Sequence, residues 1–305
     1  LKCSQCPRRC NIERPDSLSG TGAFGRCGAP LRPVVARAAL HFGEEPCISG
    51  ERGSGAIFFC GCPLQCVFCQ NRDISRALSG EEISSSRLAE IFRELEEQGA
   101  HNINLVTATH YTDVLLEAFS IYMPSVPVVY NCSGYELPET LRRLEGVISV
   151  YMPDMKYSSA SAAKKYSSAP DYPERARDAI MEMYRQRGPC VFDENGMLLS
   201  GVLIRHLILP GNLKNTFGVI DFVAESFPKG SILFSLMSQF TPMGSTGFKE
   251  LERRLSRREY EAAERYLFAS GIEDGFCQEL SSARKSYIPD FDLTGVLKKK
   301  DQEHD

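Results

Sequence analysis

The residues best placed to do chemistry lie between Cys62 and Cys69, in Cys-Pro-Leu-Gln-Cys-Val-Phe-Cys. Three thiols fall within eight residues, separated by three residues and then by two. No regular strand or helix turns all three toward one point, but a loop curled around a compact object does. Thiolates are the usual ligands of iron–sulfur clusters, and an all-cysteine four-iron cluster needs four of them. This stretch supplies three, which leaves one iron unclaimed by protein and open to a small molecule. The competing readings are a partial zinc site and buried free thiols.

A second group opens the chain. Cys3-x-x-Cys6-x-x-x-Cys10 is followed by Cys27 in Gly25-Arg26-Cys27-Gly28. Four thiols can close a tetrahedral zinc site, and they can equally hold a second cluster; the spacing does not choose between the two. Free thiols are the third reading. Gly20, Gly22 and Gly25 let the backbone fold around a metal. Cys47 stands alone and reads as a small buried hydrophobe.

Composition narrows the setting. The 305 residues, 43% apolar and 24% charged, are those of a soluble globular protein. A net charge of −4 gives no support for nucleic acid as a partner. No apolar run is long enough to span a membrane. The chain starts at Leu1 rather than Met, so the natural N-terminus is expected upstream, and Leu-Lys-Cys-Ser lacks the pattern of a secretory signal. Nine of the twelve cysteines lie within the first 69 residues in metal-type spacings, which reads as reduced thiols in the cytoplasm.

The elements that must position these residues follow a regular rhythm. Residues 34–50 read as a connector carrying Val34, Val35, Ala38 and Leu40. Ala56 to Cys60 is a short buried strand, and the cysteine loop leaves its C-terminal end, where parallel α/β folds place their chemistry. A helix then begins after Ser84, with Leu88, Ile91, Phe92 and Leu95 on one face. Further strands are predicted at 102–106, 126–130, 147–152, 202–209 and 232–236, and helices at 111–122, 173–187 and 216–227, with a short one opening at Pro138. Asn195-Gly196 marks a hairpin. Six parallel strands with helical crossovers make a curved sheet, two units short of a complete eight-stranded barrel. After a Pro/Gly-marked loop at 240–248, Ser256-x-x-Glu259 is a capping box. Residues 275–290 are expected to form a further strand or a strap, and the end from Lys298 to a solvated tail. The expected domains are a Cys-rich extension over 1–50, a core over 51–245, and a C-terminal helix, strap and tail over 246–305.

Cys-x-x-x-Cys-x-x-Cys is the signature of the radical S-adenosylmethionine (SAM) enzymes, and this chain resembles that superfamily. Phe59-Cys60-Gly61-Cys62 and Cys69-Gln70-Asn71 extend the likeness. Within the superfamily, residues 30–245 look most like the activating enzyme of pyruvate formate-lyase and its uncharacterised relatives, which share the early Cys-Pro-Arg-Arg-Cys and Glu-Glu-Pro-Cys-Ile-Ser-Gly stretches. The resemblance implies an α/β fold, a partial six-unit TIM-like barrel with an N-terminal metal-binding extension. It implies that Cys62, Cys66 and Cys69 hold a [4Fe–4S] cluster whose fourth iron chelates SAM, and that Phe68 packs on the adenine. Where the superfamily often has Gly-Gly-Glu for the SAM amino group, this chain has Val106-Thr107-Ala108-Thr109-His110. Thr107, Thr109 and His110 are therefore the candidates there, and a helix cap is the competing reading for the two threonines. Asn131 and Ser133 replace an Asp-Thr-Asn-Gly type stretch and are candidates for the ribose or methionine part of SAM. Asp154 and Lys156 match a Met-x-Asp-x-Lys pattern and are the catalytic candidates. Two apart on a strand, they share a face. Arg205 is the candidate for the SAM carboxylate, with His206 turned to the other face as a structural residue. Gln239 is assigned to the substrate side.

The implied activity is reductive cleavage of SAM to a 5′-deoxyadenosyl radical that takes a hydrogen from a protein or small-molecule substrate; making a glycyl radical on a partner enzyme is one version. The implied partners are an electron donor such as flavodoxin or ferredoxin and the substrate. The reading from another class is a non-catalytic iron–sulfur electron carrier or scaffold.

Overall fold

The computed structural model describes residues 2–278, 280 and 289–298. In chain order these form β1 (Val34–His41), α1 (Pro46–Ser49), β2 (Ser54–Phe59), α2 (Arg72–Ser75), β3 (Glu81–Glu82), α3 (Ser85–Glu97), β4 (Ile103–Val106), α4 (Thr112–Ile121), β5 (Val128–Cys132), α5 (Pro138–Arg143), β6 (Val150–Pro153), α6 (Ala160–Ser167), α7 (Tyr172–Arg187), β7 (Val191–Phe192), β8 (Leu198–Leu207), α8 (Leu213–Ser226), β9 (Leu233–Met237), α9 (Arg257–Ala269) and β10 (Gly275–Cys277).

One sheet organises them, in the order β10-β9-β8-β6-β5-β4-β2-β1-β3. From β2 through β9 the neighbours on this path run parallel, and β10 adds a parallel strand beside β9. The six expected units are therefore present, as an open partial barrel whose end strands do not pair with each other. The β2, β5 and β6 strands are buried along their whole length, as parallel strands covered on both faces must be. Helix α3 shows how the cover is laid: Ser84 accepts the Arg87 amide as N-cap, and Leu88, Ile91, Phe92 and Leu95 go into the core. The expected capping box at Ser256 and Glu259 opens α9, and the Asn195-Gly196 hairpin joins β7 to β8.

Residues 34–50 are not a connector. Residues 34–41 form β1, antiparallel to β2 with Val35 opposite Phe59 and His41 opposite Ser54. Three alanines and an arginine in eight residues hide its strand character, because alanine has little β preference and the burial comes from β2 and β3 on either side. The eight-residue α6 was likewise not foreseen.

The C-terminal segment reaches both edges of the sheet. Residues 275–277 pair with β9, whereas residues 293 and 294 hydrogen-bond to Ala36 and Ala38 of β1. Gly295 approaches β1 so closely, at φ 72°, that a Cβ would lie 2.0 Å from the Ala38 carbonyl. The rest of the expected strap, at 279 and 281–288, and the tail at 299–305 lie outside the described residues.

Candidate functional site

The C-terminal ends of the parallel strands surround a cavity of about 250 Å³. Cys62, Cys66 and Cys69 line it from the loop after β2. The loop is held in shape by backbone that few residues adopt. Gly61 sits at φ +88°, and a Cβ there would meet the Cys27 carbonyl at 2.9 Å and His110 Nε2 at 3.0 Å. Gln65, at the tip, has φ +50°. The Cys69 amide donates to the Cys66 carbonyl, and the Val67 amide donates to the Tyr166 carbonyl of α6. Burial, reinforced by Cys66 and then Cys69, pushes the Cys62 thiol up to about 12. Burial also raises Cys69, opposed in part by the Ser75 hydroxyl.

A chain of charges faces these sulfurs. Arg205, on β8, donates from Nη1 to Glu44 at 2.7 Å, from Nε to Asp154 at 3.0 Å, and from Nη2 to Asn131 Oδ1 at 2.7 Å. Asp154 takes a second partner, Lys156 Nζ, at 2.6 Å. Glu44 also accepts from the Asn104 and Asn131 side-chain amides. Burial alone would raise Asp154, yet Lys156 and Arg205 outweigh it and hold the carboxyl below its usual range. Burial would lower Lys156, yet Asp154 first and Cys66 next hold it up. Both sides are thus ionised at neutral pH. Ser133 is nine-tenths or more buried, lines the same cavity, and its hydroxyl has no partner among the described residues.

The sequence candidates divide by where their side chains go. Phe68, Thr107, Asn131, Ser133, Asp154, Lys156, Arg205 and Gln239 all line the cavity. Phe68 also packs against Tyr157, Tyr166 and Phe240, so its packing and cavity readings both hold. Asp154 and Lys156 share the cavity face and pair with each other. His206 turns away, between the Met155 carbonyl and Thr216. Two candidates do not reach the cavity. Thr109 is fully buried and donates to Glu136 at 2.6 Å. His110 places Nε2 at 2.8 Å from the Cys60 carbonyl, and burial pushes it down to about 3, which keeps it neutral. The reason is local: a 3-10 turn over 109–111 follows β4 and rolls both side chains under the sheet end. Neither threonine caps a helix, since no side-chain cap bond forms there.

Glu44 was missed. It follows β1, the strand read as a connector, and only its place in the Glu-Glu-Pro stretch signalled it. Ser167 was missed with α6; its hydroxyl lies 2.9 Å from Cys66 Sγ.

The N-terminal cysteines lie against the cluster loop. The Arg26 amide donates to Cys10 Sγ at 3.4 Å, and burial raises the Cys6 and Cys27 thiols against the opposing pull of the Arg8 and Ala29 amides. Cys27 lies within electrostatic reach of Cys3 and Cys10. Arg8 donates from Nε to the Pro63 carbonyl, and Gln65 Nε2 donates to the Arg26 carbonyl. Among the described residues, neither cysteine set is already drawn into a metal-holding group. The donor chemistry at Cys62, Cys66 and Cys69 nevertheless fits a sulfur-held cluster: three cysteines, Cys66 buried and the other two partly so, line the same cavity as the Ser133 hydroxyl.

Comparison with known families decides the framework. The radical SAM superfamily pattern matches residues 56–211, just over half of the chain, including the cysteine loop and β4 through β8. The chain belongs to the radical SAM superfamily. Membership implies a [4Fe–4S] cluster and SAM, and radical chemistry with an external reductant. An uncharacterized protein of Methanocaldococcus jannaschii is 27% identical over 272 residues, covering 86% of this chain and 72% of the relative. Among solved structures, SuiB of Streptococcus suis bound to the precursor peptide SuiA aligns at 13% identity and a TM-score of 0.49, over 73% of this chain and 48% of SuiB. This radical SAM chain thus spans about half the length of SuiB. A domain of a pyruvate-formate lyase-activating enzyme from Bacteroides vulgatus aligns at 13% identity and a TM-score of 0.36, covering 64% and 91% of the two chains. No described helix is long and apolar enough to cross a membrane.

Proposed function

We propose that Cys62, Cys66 and Cys69 are the cluster ligands of a radical SAM enzyme acting on a protein or small-molecule substrate, with glycyl-radical activation of a partner enzyme as one version. The observation that carries the reading is the shared cavity, lined together by the three cysteines, the Glu44–Arg205–Asp154–Lys156 network and Ser133, whose hydroxyl has no partner among the described residues. When bound, the cluster supplies one electron to SAM, whose C5′–S bond breaks to give methionine and a 5′-deoxyadenosyl radical.

The chain's own residues bind, orient and shield. Arg205 spends three of its five donor protons on Glu44, Asp154 and Asn131, and the remaining two are available to the SAM carboxylate. Glu44 holds the guanidinium in place. Ser133 and Asn131 offer hydrogen bonds to the ribose or methionine part, Thr107 a hydroxyl, and Phe68 a ring edge for the adenine. Asp154 and Lys156 face the reacting end, where the fixed charge pair excludes bulk water. Thr109 and His110 act behind the site and have no part in holding SAM.

The N-terminal Cys3, Cys6, Cys10 and Cys27 are proposed to hold zinc or a second cluster, supported by the electrostatic proximity of Cys27 to Cys3 and Cys10 and by the amide–sulfur bond at Cys10. Flavodoxin or ferredoxin fits as the electron donor and the cytoplasm as the location.

Anaerobic reconstitution with iron, sulfide, SAM and dithionite tests the reading. Release of 5′-deoxyadenosine is expected, and Cys66→Ala abolishes it together with the cluster absorbance. A fully loaded cluster that leaves SAM intact would instead mark an electron carrier.

A further inference from the structure

We propose that Ser167, anchored by Tyr157, sets the reduction potential of the cluster by donating a hydrogen bond to the Cys66 thiolate. The inference rests on the proposed assignment of Cys66 as a ligand.

The geometry is a buried relay. Ser167 Oγ lies 2.9 Å from Cys66 Sγ, and the Tyr157 hydroxyl lies 2.7 Å from Ser167 Oγ. All three residues are buried, Tyr157 completely. A free thiol can give or take a proton in such a contact. A cluster ligand is a thiolate and can only accept, so Ser167 must donate to sulfur and Tyr157 must donate to Ser167. Each hydroxyl then has one acceptor and the polarity of the relay is fixed. Linked hydroxyls strengthen one another in a dry interior, and bonds to cluster sulfurs are among the protein's levers on potential. Negative charge on the sulfur grows when the cluster gains an electron. The donor therefore stabilises the reduced form more than the oxidised form.

Ordinary helix chemistry would have placed this hydroxyl elsewhere. A serine in a last helical turn commonly bonds the carbonyl one turn back. In α6 the Ala163 carbonyl is instead taken by the Ala169 amide at 3.2 Å and shared with the Ser168 amide that caps the helix. The end of α6 is then locked to the cluster loop. Arg8 donates from Nε to the Pro63 carbonyl at 2.9 Å, from Nη1 to the Ser168 carbonyl at 2.6 Å and from Nη2 to the Ser167 carbonyl at 2.8 Å. The Val67 amide bonds the Tyr166 carbonyl at 2.9 Å. A hydroxyl needing only burial would not require two clamps, Arg8 and the Val67–Tyr166 bond, between its helix and the loop that bears its acceptor. Ser75 makes a longer contact, 3.5 Å, to Cys69 on the far side.

The test is an EPR-monitored redox titration of the reconstituted holoenzyme without SAM, with dithionite as reductant. Ser167→Ala is expected to keep four irons per cluster and to shift the reduced-to-oxidised ratio about tenfold toward oxidised at a fixed potential, about 59 mV for a one-electron couple. Ser167→Thr restores the hydroxyl and the wild-type potential. Tyr157→Phe shifts in the same direction by less, and it decides the matter if Ser167→Ala fails to load. An unchanged potential in a fully loaded Ser167→Ala, or in Tyr157→Phe, overturns the inference. Wild-type protein that takes up no [4Fe–4S] cluster at Cys66 overturns the ligand assignment instead, so the two failures are distinguishable.

Discussion

At the scale of single residues, charge placement governs the site. Arg205 meets Glu44, Asp154 and Asn131 through three separate nitrogens. A lysine has one nitrogen and cannot fork in this way. Arg205→Lys is therefore expected to weaken SAM binding to the loaded enzyme about tenfold or more, about 1.4 kcal/mol, as measured by equilibrium dialysis. Unchanged affinity would show that Arg205 serves the network alone. Glu136 is a different case. It lies fully buried behind the cavity, accepting from Thr109 and Tyr130, and burial, opposed by those hydroxyls, pushes its carboxyl from 4.5 up to about 8. The folded protein thus holds this proton more tightly than the unfolded chain does. Stability linked to it is complete below about 4.5 and is lost as pH rises through about 8. Glu136→Gln removes the titration. Relative to the wild type, that variant should gain stability across this window in urea melts, by an amount on the order of 5 kcal/mol at most. A parallel pair of pH profiles would refute the assignment. Cysteine spacing was legible in the sequence because metal ligation constrains residue type and interval. Glu44 and Glu136 were not, because what makes each of them matter is a partner far along the chain.

At the scale of elements, the cluster loop depends on what is packed against it. Gly61 is the clearest dependence, with φ +88° and no room for a Cβ beside the Cys27 carbonyl and His110. A non-glycine residue in the left-handed region costs roughly 1–2 kcal/mol before any clash. Gly61→Ala is expected to lower the midpoint of chemical denaturation and to reduce iron bound per chain. Arg8→Ala tests the other side of the loop. It frees α6 from the Pro63 turn while leaving every cluster thiol in place. Increased hydrogen exchange at 62–69 and 160–168, with the sheet unchanged, is expected; identical exchange would show that the clamp is redundant. The long helices and the parallel strands were readable from their apolar periods, since burial on one face or both leaves a repeat. β1 and α6 were not. The first is an alanine-rich strand whose burial is conferred by its neighbours, and the second is an eight-residue helix whose main contacts are to the cluster loop and α7.

At the scale of the whole molecule, one sheet with an open side holds the site, and its acid stability is set by buried neutral imidazoles. Burial pushes His110 down to about 3 and His206 down to about 4. Both bind protons more readily when unfolded. Their contribution is present above the ordinary histidine value of 6.5 and is lost as pH falls through about 4 and then about 3. Thermal melts should therefore shift downward as pH drops from 6.5 toward 4, and His206→Asn should flatten part of that dependence; a flat wild-type profile over the interval would contradict the buried neutral assignment. The amino-acid sequence by itself determined the family-level chemistry and the repeating α/β plan, because cysteine intervals and apolar periods are written locally. Tertiary structure alone decided which polar residues face the cavity. A turn after β4 rolled Thr109 and His110 away, an unforeseen antiparallel strand delivered Glu44, and a short helix brought Ser167 to Cys66. Side-chain direction at a strand end depends on the backbone turn that follows and on elements distant in the chain, and neither leaves a period to read.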